Sequence, residues 1–209
     1  MPKDTFHRLK DEKKAHIKKG LLEVYNHLGY DQATIADIIK ACEIPRGSFY
    51  QYFEGKLDTF MYLIDEAQKD KIIYLEPLLK KIGKEPFLEI YTDIFALGIK
   101  FAKDNPEAFK LTQILYKSHD KAIQAIWQSL ETQAVSMYKE FLIKDYKAGH
   151  IKKEINIELV AKMLYRLISV EVVEEFLISQ DEEKLLALAT DMITILKHGI
   201  KEKKDENSL

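Results

Sequence analysis

The stretch Thr34-Ile35-Ala36-Asp37-Ile38-Ile39-Lys40-Ala41-Cys42-Glu43-Ile44-Pro45-Arg46-Gly47-Ser48-Phe49-Tyr50 reads as two short helices joined by a tight turn. Thr34 starts the first, because its hydroxyl accepts backbone N–H groups that lack partners in a first turn. Asp37 then places an acid at the positive end of that helix. The helix runs from about Ile35 to Cys42, and Glu43 and Ile44 make the turn. Pro45 suits the next start, since its fixed φ is helical and its missing N–H is not needed there. The second helix spans about Arg46 to Tyr52 and stops at Glu54-Gly55. Such a pair needs small residues where helices cross, here Ala36, Ala41 and Gly47, over an apolar base of Ile35, Ile38, Ile39, Ile44 and Phe49. Arg46, Ser48, Tyr50, Gln51 and Tyr52 give the outer face the hydrogen-bonding groups that a helix entering the major groove requires. A hairpin with a purely structural role would more naturally expose Lys and Glu. A helix this short is marginal alone, so other elements must hold it.

Helical periodicity continues in both directions. A helix from about Lys10 to Leu28 turns Ile17, Leu21, Val24, Tyr25 and Leu28 to one side, and Gly29 suits its end. After the two short helices, a long one from about Lys56 to Lys81 carries Phe60, Leu63, Ile64, Ala67, Ile72 and Leu75 on its buried side. Pro86 opens a helix to about Lys103, Asn105-Pro106 one to about Lys117, and Asp120 one that ends before Gly149. Asn156 to Ser179 and Asp181 to about Lys203 form a closing hairpin. Strand alternation and solenoid repeats are absent. The fold class is all-α: an N-terminal three-helix bundle with a helix-turn-helix, plus a larger C-terminal helical domain, about nine helices. The expected domains are residues 1–56 and 57–209.

Composition agrees. The 209 residues are 46% hydrophobic and 32% charged, with only 8 Gly and 5 Pro, which suits long helices. One cysteine, Cys42, rules out an intrachain disulfide framework, and no signal-peptide or membrane-span pattern occurs, so a cytoplasmic location is expected. The net charge of −2 does not advertise a nucleic-acid partner, although residues 1–20 hold seven basic against three acidic groups. Lys-rich termini are usually solvated arms, so the case rests on pattern rather than charge.

The run Ile44-Pro45-Arg46-Gly47-Ser48-Phe49-Tyr50-Gln51-Tyr52-Phe53-Glu54-Gly55-Lys56 resembles the recognition-helix signature of the tetracycline-repressor (TetR) family. Gly29-Tyr30 and Ala33-Thr34 resemble the approach to that family's second helix. The likeness is strong over about residues 12–60; beyond them it extends only to helix number, helix lengths and the Gly149–Ile157 link. Glu43 departs from it, standing where the family usually has a turn glycine, as does Leu57, where an acid commonly follows the lysine. By position, the resemblance implies that Thr34, Tyr52 and Lys56 hold phosphate while Arg46, Ser48, Tyr50 and Gln51 face base edges. Phe49 and Phe53 are expected to pack inward. Gly47 is expected to permit close approach to a neighbouring helix or backbone, and Lys10, Lys13, Lys14, Lys18 and Lys19 offer one or two further phosphate contacts.

The resemblance also implies an effector cavity in the larger domain, and Tyr91, Phe95, Trp127, Tyr138 and Tyr165 are the candidate lining for a small apolar or amphipathic molecule. Most aromatics there are ordinary core. Arg166 is better read as the partner of an acid, such as Glu171 or Glu174, than as a pocket group. Apolar residues nearly encircle the helix from Asn156 (Leu159, Val160, Met163, Leu164, Leu167, Ile168, Val170, Val172, Val173 and Phe176), so the last two helices are expected to form a homodimer interface. The expected partners are a double-stranded DNA operator, the effector and a second copy of the chain, without a membrane. No catalytic residues, metal site or cofactor are expected: the six histidines lack metal-ligand spacing, and no phosphate loop or nucleophile elbow occurs. The function expected is a sequence-specific transcriptional regulator, in the family's default a repressor released by its effector. A helical adaptor is the alternative, and an all-helical enzyme a more distant one.

Overall fold

The computed structural model describes residues 2–166 and 181–198. Among these, ten helices follow one another: α1 Asp4–His7, α2 Asp11–Gln32, α3 Ile35–Ala41, α4 Arg46–Tyr52, α5 Lys56–Leu79, α6 Phe87–Asp104, α7 Pro106–Lys117, α8 Lys121–Lys147, α9 Ile157–Met163 and α10 Glu182–His198. The one β contact among the described residues is an isolated bridge, Ile82 to Glu85. The architecture is all-α, as the periodicity requires.

Helix starts sit where polar side chains accept otherwise unpaired N–H groups. Asp120 Oδ1 accepts from Ala122 and Ile123 at 2.8 and 3.2 Å, Asn156 Oδ1 from Leu159 at 3.0 Å, and Asp181 Oδ1 from Lys184 at 3.1 Å. Gly29 does break α2, with φ 70° and ψ 176°, but helical turns resume as far as Gln32. Gly149, at φ 80°, follows the end of α8.

Two local expectations change. The polar N-terminus is not simply a solvated arm: residues 4–7 form α1, because Phe6 is buried (1% exposed) with its ring 5.0 Å from those of Phe53 and Tyr62. On α5, Phe60, Leu63, Ile64 and Leu75 are buried, but Ile72 is 59% exposed. At 100° per residue the stripe through Phe60, Ile64, Ala67 and Leu75 passes over position 71, leaving Ile72 on the flank.

The chain groups into two compact units, one from Met1–Tyr74 with Lys100–Leu130 and the other from Leu75–Ile99 with Glu131–Leu209. In the first, α2 packs against α3 and α7, burying Ile17, Leu21, Tyr25, Ile38, Phe49, Phe60, Leu111 and Ile123 in one core. In the second, Phe87, Ile90 and Tyr91 of α6 meet Leu142 of α8, Ala161 of α9, and Ala189 and Ile193 of α10. Asp145 is buried here and accepts the Phe87 N–H at 2.5 Å, capping α6 from a neighbouring helix. Burial pushes its carboxyl above the usual range, against the hydrogen bond that opposes this. Arg166 pairs with an acid as expected, through Nε and NH2 to Glu131 Oε1 at 3.0 and 2.7 Å. The alternative partners Glu171 and Glu174, the apolar positions Leu167 to Phe176, and the tail from Lys203 lie outside the described residues. No described helix is long and apolar enough to cross a membrane.

Candidate nucleic-acid interface

The interface is built on a reciprocal cap. Thr34 Oγ1 accepts from Asp37 N at 3.2 Å, while Asp37 Oδ2 accepts from Thr34 N at 3.0 Å and from the Thr34 hydroxyl at 2.6 Å. These hydrogen bonds hold the Asp37 carboxyl below its usual range. The cap fixes the start of α3, whose Ile38 is buried under it.

Where α2 crosses the end of α3, the close contact is made by Gly20. A Cβ there would lie 2.7 Å from the Ala41 carbonyl oxygen and 2.8 Å from Cys42 Cα, both backbone atoms. Gly47, expected to serve that purpose, does not serve it within the chain: a Cβ at 47 meets nothing within 4 Å, and Ala36 is exposed. The signal for Gly20 was available, since an interior helix glycine costs about 1 kcal/mol relative to Ala and so marks a tight contact.

The turn keeps its left-handed residue without a glycine. Glu43 has φ 50° and its carboxylate lies 3.5 Å from His16 Nε2. Ile44 is buried, and Pro45, at φ −59° and ψ 147°, leads into α4. Along α4 the side chains divide between a buried and an outward face. Phe49 and Phe53 are fully buried, while Arg46, Tyr50 (41% exposed) and Gln51 face outward and Ser48 is half-buried. The Arg46 guanidinium lies 5.8 Å from the Tyr50 ring centre. Tyr52 is half-buried, its ring 6.1 Å from Phe6.

Lys56 opens α5 and is secured at both ends. Its carbonyl lies 3.0 Å from Tyr25 Oη and 2.7 Å from Thr59 Oγ1, and its ammonium donates to the Tyr30 carbonyl at 2.9 Å while sitting 4.3 Å over the Tyr30 ring. Tyr30, read from the sequence only as part of the Gly29-Tyr30 approach, thus supports Lys56; the adjacent Asp31, whose carboxylate accepts from Ser118 Oγ and His119 N, gives no sequence signal. Of the N-terminal lysines, Lys14 pairs with Asp11 at 3.2 Å and Lys18 reaches Glu66 at 3.6 Å and Asp70 at 3.9 Å.

The five effector-pocket candidates are divided between the two units. Tyr91 and Tyr138 meet edge to face at 5.5 Å in the second unit, where Phe95 joins the same cluster and Tyr165 is also buried. Tyr91 donates to the Leu164 carbonyl at 3.1 Å, and burial pushes the Tyr165 hydroxyl to about 12. Trp127 belongs to the first unit, where it meets Tyr116 at 5.5 Å and lines an open groove of about 800 Å³ with Leu115, His119 and Gln124.

A capped helix-turn-helix that buries its aromatics and turns Arg46, Tyr50 and Gln51 outward, within an otherwise helical chain, defines a DNA-binding regulator. Residues 17–60 match the family described as bacterial regulatory proteins of the tetR family. Over 196 residues, covering 93% of this chain and 98% of the relative, the sequence is 25% identical to the fatty acid metabolism regulator protein of Bacillus subtilis (strain 168). The fold resembles that of the transcriptional regulator FadR from Bacillus subtilis, solved in complex with stearoyl-CoA, at a TM-score of 0.69, with 18% identity and coverage of 90% of this chain and 100% of that one. A TetR-family regulator structure from Syntrophomonas wolfei matches at a TM-score of 0.75, with 19% identity and coverage of 92% and 98%. Residues 17–60 therefore carry a helix-turn-helix of the tetR-family type.

Proposed function

We propose that the chain is a homodimeric repressor that occupies a near-palindromic operator and leaves it when an amphipathic acyl molecule binds its C-terminal part. The observation that carries this reading is α4, whose buried Phe49 and Phe53 oblige the alternate side chains Arg46, Tyr50 and Gln51 to face outward. Arg46 suits guanine O6 and N7, Gln51 suits adenine, and the Tyr50 ring suits a thymine methyl group. Thr34, Tyr52 and Lys56 hold phosphate, and Ser48 contacts a base edge. Residues 1–56 do the reading, while 57–209 sense and dimerise, with the last two helices at the interface. The protein works in the cytoplasm, as a regulator and without catalysis.

For the effector, support comes from the full-length similarity to a fatty acid metabolism regulator and the likeness in fold to one solved with stearoyl-CoA. Tyr91, Phe95 and Tyr138 belong to the apolar cluster of the second unit, surroundings that suit an acyl chain; Tyr165 is buried in the same unit, and Trp127 belongs to the other. Linkage demands that the effector prefer the form that binds DNA poorly, so DNA must weaken effector binding by the same factor. The test selects operators from a random duplex library and then titrates stearoyl-CoA against the bound complex. Release is expected; unchanged DNA affinity at saturating stearoyl-CoA excludes that effector. Failure to select any sequence overturns the DNA reading itself.

A further inference from the structure

The recognition helix has seven residues, so its last four carbonyls, those of Phe49, Tyr50, Gln51 and Tyr52, have no acceptor role inside the helix. Each nevertheless has a donor. Phe53 N donates to the Phe49 carbonyl at 2.8 Å, as the chain leaves the helix. The other three are met from the N-terminus: Lys3 Nζ donates to the Tyr50 carbonyl at 3.1 Å, the Thr5 hydroxyl to that of Gln51, and Lys3 N to that of Tyr52 at 2.8 Å. Lys3 also brings its positive charge to the negative end of the helix dipole and lies 3.5 Å from Glu54. Behind them Phe6 is buried against Tyr52, Phe53 and Tyr62, which holds the segment in place.

We infer that Lys3 and Thr5 are positioning residues for DNA reading: they clamp the backbone of Tyr50, Gln51 and Tyr52 and so set the angle at which those side chains meet the groove. The inference rests on the DNA-binding role proposed above. Its physical basis is that three carbonyls held by one short segment immobilise the three residues that carry them. A helix of this length has little stiffness of its own. A base contact made by Gln51 needs its Cα–Cβ direction fixed before binding, since ordering it on the DNA would weaken recognition. Neither Lys3 nor Thr5 needs to touch DNA for this.

The test uses Lys3→Met with Thr5→Ala in the full chain, and Lys3→Arg as the conservative variant. Lys3→Met keeps the apolar stem and the backbone N–H, removing only the ammonium. Wild type first selects its preferred site from a random duplex library; affinities for that site and for a random duplex are then measured across a salt series, well below the melting temperature. A partly unfolded population lowers both affinities alike and cancels in their ratio, so a loss of stability alone leaves the ratio unmoved. The inference expects the double variant to lose about tenfold in that ratio with an unchanged salt slope, and Lys3→Arg to restore most of it. An unchanged ratio overturns the clamp. Uniform weakening with the salt slope smaller by about one also overturns it, by making Lys3 a phosphate contact. A wild type that selects no sequence overturns the DNA reading and the clamp together, a result separable from the other two.

Discussion

Ser118 Oγ donates to the Asp31 carboxylate at 2.5 Å across 87 residues of chain, and His119 N donates to the same carboxylate at 3.0 Å. The contact ties the segment just before Thr34 to the junction between α7 and α8, within one compact unit.

The Ser118 and His119 hydrogen bonds hold the Asp31 carboxyl below its usual range. A depressed folded-state value means stabilisation that is complete above the unfolded carboxylate pKa, about 4, and lost as pH falls through the lower folded value. Asp31→Asn should therefore melt at a lower temperature than wild type at pH 7, with the difference shrinking below about pH 4. Paired thermal melts from pH 7 to pH 3 read this directly; a difference that does not depend on pH would show that the charge is irrelevant.

Arg46→Ala and Lys56→Ala should fail differently. Loss of a guanine contact should cost about 1–3 kcal/mol at one base position and relax preference there. Lys56→Ala should weaken binding to all sequences and reduce the salt slope by about one. Because the Lys56 ammonium rests on the Tyr30 carbonyl in the free protein, the same change should also loosen the start of α5. Unaltered sequence preference in Arg46→Ala would remove that residue from the reading set.

The two glycines should respond in opposite directions. Gly20→Ala forces a Cβ onto the backbone of Ala41 and Cys42, and should destabilise by about 1–3 kcal/mol. Gly47→Ala meets nothing, so improved helix propensity should stabilise α4 by up to about 1 kcal/mol. Urea melts of both variants measure the pair. Weaker operator binding by a more stable Gly47→Ala protein would place the DNA backbone against that position.

Cys42 should be inert while the protein is folded. Burial pushes its thiol to about 12, and its Sγ donates to the Ile17 carbonyl at 3.5 Å. The thiolate is the reactive form, so labelling by an aromatic disulfide reagent at pH 8 should be slow and should accelerate with urea in step with unfolding. Rapid stoichiometric labelling of native protein would contradict the packing at the α2–α3 crossing.

Glu43→Gly should be neutral or stabilising, by at most about 1 kcal/mol. A residue with a Cβ at φ 50° carries strain that glycine lacks, though glycine also loses more entropy on folding. A thermal melt decides it; marked destabilisation would give the Glu43–His16 contact more weight than the backbone.

Much of this molecule was legible in the residues alone. Thr34, Pro45, Pro106, Asn156 and Asp181 announce helix starts because capping and proline geometry act within a few residues of chain. The alternation of Phe49 and Phe53 with Arg46, Tyr50 and Gln51 is likewise local, so one periodicity argument places the outward face of α4. What the sequence by itself could not determine depends on contacts between distant positions. Ile72 is exposed because the phase of α5 is set by the whole stripe rather than by its own hydrophobicity. The N-terminal residues read as a solvated arm, yet Phe6 finds a pocket made by Phe53 and Tyr62, and only that docking brings Lys3 and Thr5 to the end of α4. Gly20 rather than Gly47 takes the helix crossing, and Asp31 finds Ser118, for the same reason. Capping and periodicity are properties of neighbours along the chain, whereas the supports of the recognition helix are made by residues that only the tertiary structure brings together.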